Sequence, residues 1–340
     1  MIFDTHHRAM SDLRLSLTDR CNLRCFYCMP RARYAWLSKT DMLSFEEISM
    51  LVSLFLSMGV HKLRLTGGEP LLRKNLPTLV QLLAQKPQLE DFALTTNGVE
   101  LAPLAPLLKE AGLHRLTVSL DSLQPKRFEQ ISKRNSLRQV LRGIDAAAQA
   151  GFPKKLKLDT VVIRGFNDDE LPALLRFAKE RNAEIRFIEY MDVAGALNWS
   201  WEQVVTREEM LRHIEQSFGT LAPLEEGLAA PAKRYRLHDG TTFGTIASAS
   251  APFCDTCNRI RLSADGKLFA CLYATEGLDL KKEVRSGKNL LELQKTISSF
   301  WKQRTEKGAQ QRLNSKDRAA FKTEKELLEN PHLEMHRRGG

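Results

Sequence analysis

No run of about 18 apolar residues occurs anywhere in this 340-residue chain, so no membrane-spanning helix is expected. The opening stretch MIFDTHHRAMSDL lacks the basic-then-apolar order of a secretory leader. A cytoplasmic protein is therefore the expectation, and in a reducing compartment its six cysteines are better read as metal ligands or catalytic groups than as disulfides. A phosphate loop of the form GxxxxGK followed by Ser or Thr is also missing, so any nucleoside triphosphate would have to be held by side chains. Repeats of fixed period and low-complexity tracts are absent as well. The net charge is +10, but residues 281–340 hold 15 Lys and Arg against 8 Asp and Glu, so +7 of it sits in the tail. A solvated helical face or a nucleic-acid footprint both fit such a tail.

What the chain does have is a regular alternation. Strand-like runs at 12–17, 62–66, 91–96, 115–120, 157–163 and 184–190 alternate with helical patterns such as 45–59, 75–85, 136–151 and 170–180. Such βα units argue for a parallel sheet. Six of them suit an incomplete (β/α)6 barrel of the TIM type, and a doubly wound sheet would use the same elements. After about residue 230 the texture changes to two hairpins, RYRLHDGTTFGTIAS and RIRLSADGKLFACL, each turning at an Asp-Gly pair. From 289 to 330 the chain is charged and reads as helix. The expected division is 1–225 for the partial barrel and 226–340 for the hairpins and helical tail.

Ligands gather at the carboxyl ends of strands in such folds. Cys21, Cys25 and Cys28, written CNLRCFYC, follow the first strand, and Thr66-Gly67-Gly68-Glu69-Pro70 follows the second. Thr95, Ser119 and Met191 close later strands. A closed zinc site takes four ligands, and here three thiols stand without a natural fourth, because His6 and His7 lie upstream beyond the first strand. Cys254, Cys257 and Cys271 form a second trio, again one short of a zinc ribbon's two CxxC pairs. Two iron–sulfur clusters, each with three thiolates and one iron open to an outside ligand, account for all six cysteines.

Arg259 and Arg261 lie two apart on a predicted strand and so face one side. Arg14, Lys62, Arg64, Lys157 and Arg186 also sit inside predicted strands. In a sheet covered by helices these basic groups would line an interior cavity and suit a polyanion, since Arg grips phosphate bidentately.

Together, CxxxCxxC after the first strand, GGEP after the second, CDTCNRIRLSADGKLFACL and a terminal Gly-Gly resemble the radical S-adenosylmethionine (radical SAM) enzymes. Within them the resemblance is to the GTP 3′,8-cyclase family of molybdenum cofactor biosynthesis, over about residues 10–280. The resemblance implies two 4Fe–4S clusters, the first on Cys21, Cys25 and Cys28 chelating SAM, the second on Cys254, Cys257 and Cys271 binding guanine. It implies SAM contacts from Tyr27, Gly68, Glu69, Ser119 and Met191. GTP contacts would come from Arg14, Arg64, Thr95, Lys157 and the segment Arg259, Ile260 and Arg261, with Lys62 and Arg186 as further triphosphate partners. Catalytic roles fall to Arg259, Arg261 and the tail glycines Gly339 and Gly340, although here Arg337 and Arg338 precede those glycines. The implied partners are a low-potential electron donor such as flavodoxin or ferredoxin and a downstream cyclic pyranopterin monophosphate synthase. A homodimer is compatible with the same resemblance. Two rival readings are a peptide-modifying radical SAM enzyme and a zinc-stabilised nucleic-acid binder using the basic tail.

Overall fold

The structure is a computed structural model that describes every residue except 226, 228, 316, 317 and 340. Strands β1 (Asp12–Ser16), β2 (Lys62–Thr66), β3 (Asp91–Thr96), β4 (Arg115–Ser119), β5 (Lys157–Val162) and β6 (Glu184–Glu189) lie side by side and parallel. Between and after them run α1 (Phe45–Ser57), α2 (Leu76–Ala84), α3 (Leu101–Glu110), α4 (Pro125–Ser132), α5 (Leu137–Gln149), α6 (Leu171–Glu180) and α7 (Arg207–Phe218). Helix α1 starts at a capping box, in which Ser44 Oγ accepts from Glu47 N at 3.2 Å and Glu47 Oε2 accepts from Ser44 N at 2.7 Å. Its Ile48, Leu51, Val52 and Phe55 recur at helical spacing and are buried. Helix α5 does the same with Leu137, Val140, Ile144 and Ala147. Among the described residues no helix is long and apolar enough to cross a membrane.

The strands alternate, unlike those of a sheet buried on both faces. Leu13, Leu15, Leu63, Leu65, Phe92, Leu94, Leu116, Val118, Leu158, Ile185 and Phe187 join the helices in one continuous core. The residues between them, Arg14, Arg64, Thr95, Ser119, Asp159 and Arg186, point inward to a cavity. A packed apolar layer outside and a polar layer inside explain the charged positions within the strands.

The C-terminal extension carries the expected hairpins. Strands β7 (Ala222–Pro223), β8 (Lys233–Arg236) and β9 (Thr242–Ile246) form one antiparallel group, and β10 (Arg259–Leu262), β11 (Lys267–Phe269) and β12 (Leu278–Asp279) the other. These groups continue the barrel sheet. Strand β9 pairs parallel with β6, and β10 pairs parallel with β1, giving one 12-stranded sheet in the order β12-β11-β10-β1-β2-β3-β4-β5-β6-β9-β8-β7. Both trios of cysteines are thereby brought to the same end of one curved sheet. The charged tail is helical in pieces: α8 (Leu280–Arg285), α9 (Leu290–Lys302), α10 (Gly308–Leu313), α11 (Glu324–Glu329) and α12 (Met335–Arg338).

Phe187 of β6 meets Phe243 of β9 edge to face at 6.3 Å, sealing the seam between barrel and extension. Phe187→Ala is expected to lower the unfolding free energy of the metal-free protein by about 3–5 kcal/mol. Chemical denaturation checks it; a loss below about 1 kcal/mol would contradict this packing.

Candidate active site

The carboxyl ends of the strands converge on one cavity of about 380 Å³, lined by all six cysteines. Cys21, Cys25 and Cys28 ride on the loop after β1, which closes on itself where Cys28 N donates to Cys25 O at 2.9 Å. The glycines of GGEP allow that loop to come close: a Cβ on Gly68 would lie 2.3 Å from Arg20 O and 2.7 Å from Asp19 O. The thiols are free of disulfides. Burial pushes Cys21 up to about 11 and Cys28 up to about 12, and holds Cys25 well above its ordinary value. Without metal these thiols stay protonated, and the positive charge of bound iron would convert them to thiolate ligands. Cys257 differs: burial opposes its ionisation, but Arg259 and Arg304 outweigh it and bring the thiol down to about 7. No three His, Cys, Asp or Glu side chains among the described residues are grouped to hold a single metal ion. Each trio offers three free cysteine thiols on the cavity wall, a donor set that fits an iron–sulfur cluster.

On the rim above Cys21, Cys25 and Cys28, Tyr27, Gly68, Glu69, Ser119 and Met191 all line the cavity. Glu69 is fully enclosed, and its carboxylate accepts from Leu71 N at 3.0 Å, Thr96 Oγ1 at 2.7 Å and Asn97 N at 2.7 Å. Burial pushes it up to about 7 against the pull of those donors. Two lining residues were not singled out as site residues from sequence. Asn97 Nδ2 donates to Cys21 Sγ at 3.7 Å. Asp121, raised to about 6 by burial, accepts from Tyr27 Oη at 2.5 Å. Both stand at the end of a predicted strand, which is the signal that could have found them.

Deeper in, the basic residues gather. Register sets Arg14 beside Arg64 on one side and Arg261 on the other. Arg64 Nη1 donates to Thr95 Oγ1 at 2.9 Å and Thr117 Oγ1 at 3.1 Å. Burial, then mutual repulsion, lowers Arg14 and Arg64 to about 9 and Arg261 to about 10. Arg14 Nε and one Nη of Arg259 are buried and find no hydrogen-bond partner among the described residues. Arg186 lines the cavity too, with Glu184 at 3.2 Å. Lys62 and Lys157 open their strands below it and do not line it; Lys157 lies 3.6 Å from Glu184. Ile260 faces the other way. The alternation that turns Arg259 and Arg261 inward turns its side chain into the apolar core, where it is wholly buried, so only its backbone could meet a ligand.

The chain's C-terminal segment reaches this cavity: Met335 and His336 line it, and Gly339 meets Arg261 and Thr66 of its wall. Gly339 O accepts from Arg261 Nη1 at 2.5 Å, and a Cβ on Gly339 would lie 2.3 Å from Thr66 Cγ2. Its φ of +66° also favours glycine. Gly340 lies outside the described residues. The arginines before the glycines guide the approach. Arg338 donates to His332 O at 3.0 Å and Leu272 O at 2.8 Å and stacks over Phe269 at 4.3 Å. Arg337 donates to Ala35 O at 2.7 Å and stands 3.5 Å from Asp19. His336 packs edge-on against Tyr34 at 5.2 Å and Trp36 at 6.1 Å, while Arg31 pairs with Glu334. The loop that follows the first three cysteines is thus the dock for the tail.

Burial first, then Arg337, Arg31 and Arg24, depresses His336 from 6.5 to about 3. Between those values the undocked tail binds a proton that the docked tail excludes, so docking weakens as pH falls from about 6.5 toward 3. Protection of the tail amides, corrected for intrinsic exchange, should fall across that window, and His336→Phe should flatten the dependence. An identical profile in both proteins would contradict the neutral, buried placement.

Comparison with known proteins agrees with this geometry. The family model described as Radical SAM superfamily matches residues 15–178, and that described as Molybdenum Cofactor Synthesis C matches residues 183–310. A curated protein of Mycobacterium tuberculosis, "GTP 3',8-cyclase 1", is 52% identical over 99% of this chain and 95% of its own length. The "GTP 3',8-cyclase" of Aquifex aeolicus is 43% identical over 93% of this chain and 96% of its own. Among solved structures, that of Streptococcus suis SuiB aligns with a TM-score of 0.61 over 88% of this chain and 68% of its own, at 12% identity, which speaks to the fold alone. Membership implies SAM and a 4Fe–4S cluster as cofactors. The chain belongs to the GTP 3′,8-cyclase family of the radical SAM superfamily.

Proposed function

We propose that this protein converts GTP to 3′,8-cyclo-7,8-dihydro-GTP, the entry reaction of molybdenum cofactor biosynthesis. The observation that carries the reading is a group of buried, incompletely partnered arginines set between two trios of thiols. A triphosphate would supply the negative charge that group lacks, and relatives named as GTP 3′,8-cyclases agree with it.

Cys21, Cys25 and Cys28 would hold the first cluster and Cys254, Cys257 and Cys271 the second. When bound, SAM and its cluster supply a 5′-deoxyadenosyl radical, the species that takes the ribose 3′ hydrogen. The protein's part is position and exclusion of water. Tyr27, Gly68, Ser119 and Met191 would form the SAM side of the cavity, with Glu69 as the acid that would stabilise its methionine amine. Arg14, Arg64 and Arg186 take the triphosphate, with Lys62 and Lys157 adding positive charge beneath it. Arg259 and Arg261 sit between phosphate and the second trio, and Arg261 also fixes the tail through Gly339 O. Residues 1–225 would thus serve SAM, and 226–340 the second cluster and guanine. A low-potential donor such as flavodoxin or ferredoxin would supply the electron, and cyclic pyranopterin monophosphate synthase would take the product.

Anaerobic turnover of the iron-reconstituted protein with SAM, a strong reductant and GTP tests the reading by mass spectrometry. GTP-dependent 5′-deoxyadenosine together with a cyclised GTP isomer is the expected result; neither appearing from fully loaded protein would overturn it. Arg64→Ala should weaken GTP at least about ten-fold, or about 1.4 kcal/mol. Deleting Gly339 and Gly340 should spare 5′-deoxyadenosine formation and abolish the cyclised product, and full product yield from the truncated protein would contradict the role of the tail.

A further inference from the structure

A second charged group lies behind Cys254 and Cys257, outside the cavity and unused by the reading above. Asp4, Arg8 and Arg304 come from opposite ends of the chain and are each at most 6% exposed. Arg8 Nε meets Asp4 Oδ2 at 2.6 Å, and Arg304 Nη1 meets the same oxygen at 3.5 Å. Asp4 Oδ1 also accepts from the backbone of His6 and of Arg8, both at 2.9 Å, so the carboxylate is saturated. The two guanidinium groups reach on to the cysteine loop itself. Arg8 Nη1 donates to Cys254 O at 2.9 Å, and Arg304 Nη1 donates to Cys257 O at 2.7 Å. Trp301 locks the arrangement, with its Nε1 donating to Arg8 O at 3.1 Å and its ring beneath Arg304 at 4.5 Å.

The charge does not balance. Two guanidinium cations share one carboxylate, leaving one positive charge buried without a counter-charge in the group. Arg8 Nη2 and Arg304 Nε are buried and have no hydrogen-bond partner among the described residues. A buried cation left so costs several kcal/mol, and a structure that keeps one has an anion to set against it. The candidate is the thiol trio, since the two guanidinium groups already hold the carbonyls of Cys254 and Cys257. A 4Fe–4S core carrying two positive charges and bound by three thiolates bears one net negative charge. That is equal in size and opposite in sign to the excess.

We infer that Asp4, Arg8 and Arg304 position the loop of the second cluster and supply its counter-charge. The inference rests on the reading of Cys254, Cys257 and Cys271 as a cluster site. These are positioning residues: they hold two ligand residues by their carbonyls and touch neither substrate nor SAM. A fixed positive charge close to the cluster favours its reduced, more negative form, so removing the charge should lower the midpoint potential or release the cluster.

The test is iron content, electron paramagnetic resonance and potentiometry on reconstituted full-length protein, as wild type, Arg304→Met and Arg304→Lys. Arg304→Met is expected to lose half of the iron and the second cluster's signal, or to keep that signal at a more negative midpoint. The first cluster, read by its own signal and by 5′-deoxyadenosine formation, stays. Arg304→Lys, which keeps the charge, is expected to retain both clusters with a near wild-type midpoint. Both clusters at the wild-type midpoint in Arg304→Met would overturn the inference, as would loss of the second cluster from Arg304→Lys. Should Arg304→Met fail to fold, which the loss of both clusters and of the circular dichroism spectrum would reveal, the lysine variant alone decides in the same terms. Wild-type protein that binds only one cluster's worth of iron would instead remove the reading on which the inference depends.

Discussion

The rest of the structure depends on positive charge held inside a sheet that its own helices shield from water. Arg14, Arg64 and Arg261 sit in register on β1, β2 and β10, and burial together with mutual repulsion makes that placement unfavourable. The outer face of the same strands, with Leu13, Leu63 and Ile260, provides the apolar packing that offsets it. Stability from one face of the sheet is thereby spent on a binding site on the other. Asp12 and Asp159 offset part of that charge, and a polyanion would supply the rest.

The C-terminal chain completes what the barrel begins. Strands β9 and β10 carry the sheet beyond β6 and β1, so the second thiol trio arrives on the same rim as the first. The tail then returns across the loop of the first trio, and its basic residues are taken up by backbone carbonyls and Asp19 before they reach the cavity. What enters is Gly339, at a point where Thr66 leaves no room for a side chain. The same economy appears behind the second trio, where the N-terminal segment meets the end of α9 at Asp4, Arg8 and Arg304.

Features set by near neighbours could be read in the sequence. CNLRCFYC, GGEP and CDTCNRIRL each place their chemistry within a few residues, and the apolar alternation of the strands marked Arg14, Arg64 and Arg186 as inward-facing. The two-residue period also contained the answer for Ile260, since neighbours of Arg259 and Arg261 must face the other way. The pairing of β9 with β6 and of β10 with β1 had no local signature, because parallel pairing brings together segments tens to hundreds of residues apart. The dock made by Tyr34 and Trp36 for His336, and the meeting of Arg8 with Cys254, are likewise long-range packing. Lys157 shows the limit of inward direction as a guide: its side chain faces the right way but is engaged with Glu184 below the cavity.

The central claim is that the unbalanced interior charge is a phosphate-chain receptor. Anaerobic titration calorimetry of the reconstituted protein with GTP, GDP, GMP and guanosine, each at low and at moderate salt, tests it most directly. The account predicts affinity that falls at every phosphate removed, with a salt dependence that fades along the same series. Equal affinity for GTP and guanosine, with no effect of salt, would contradict it.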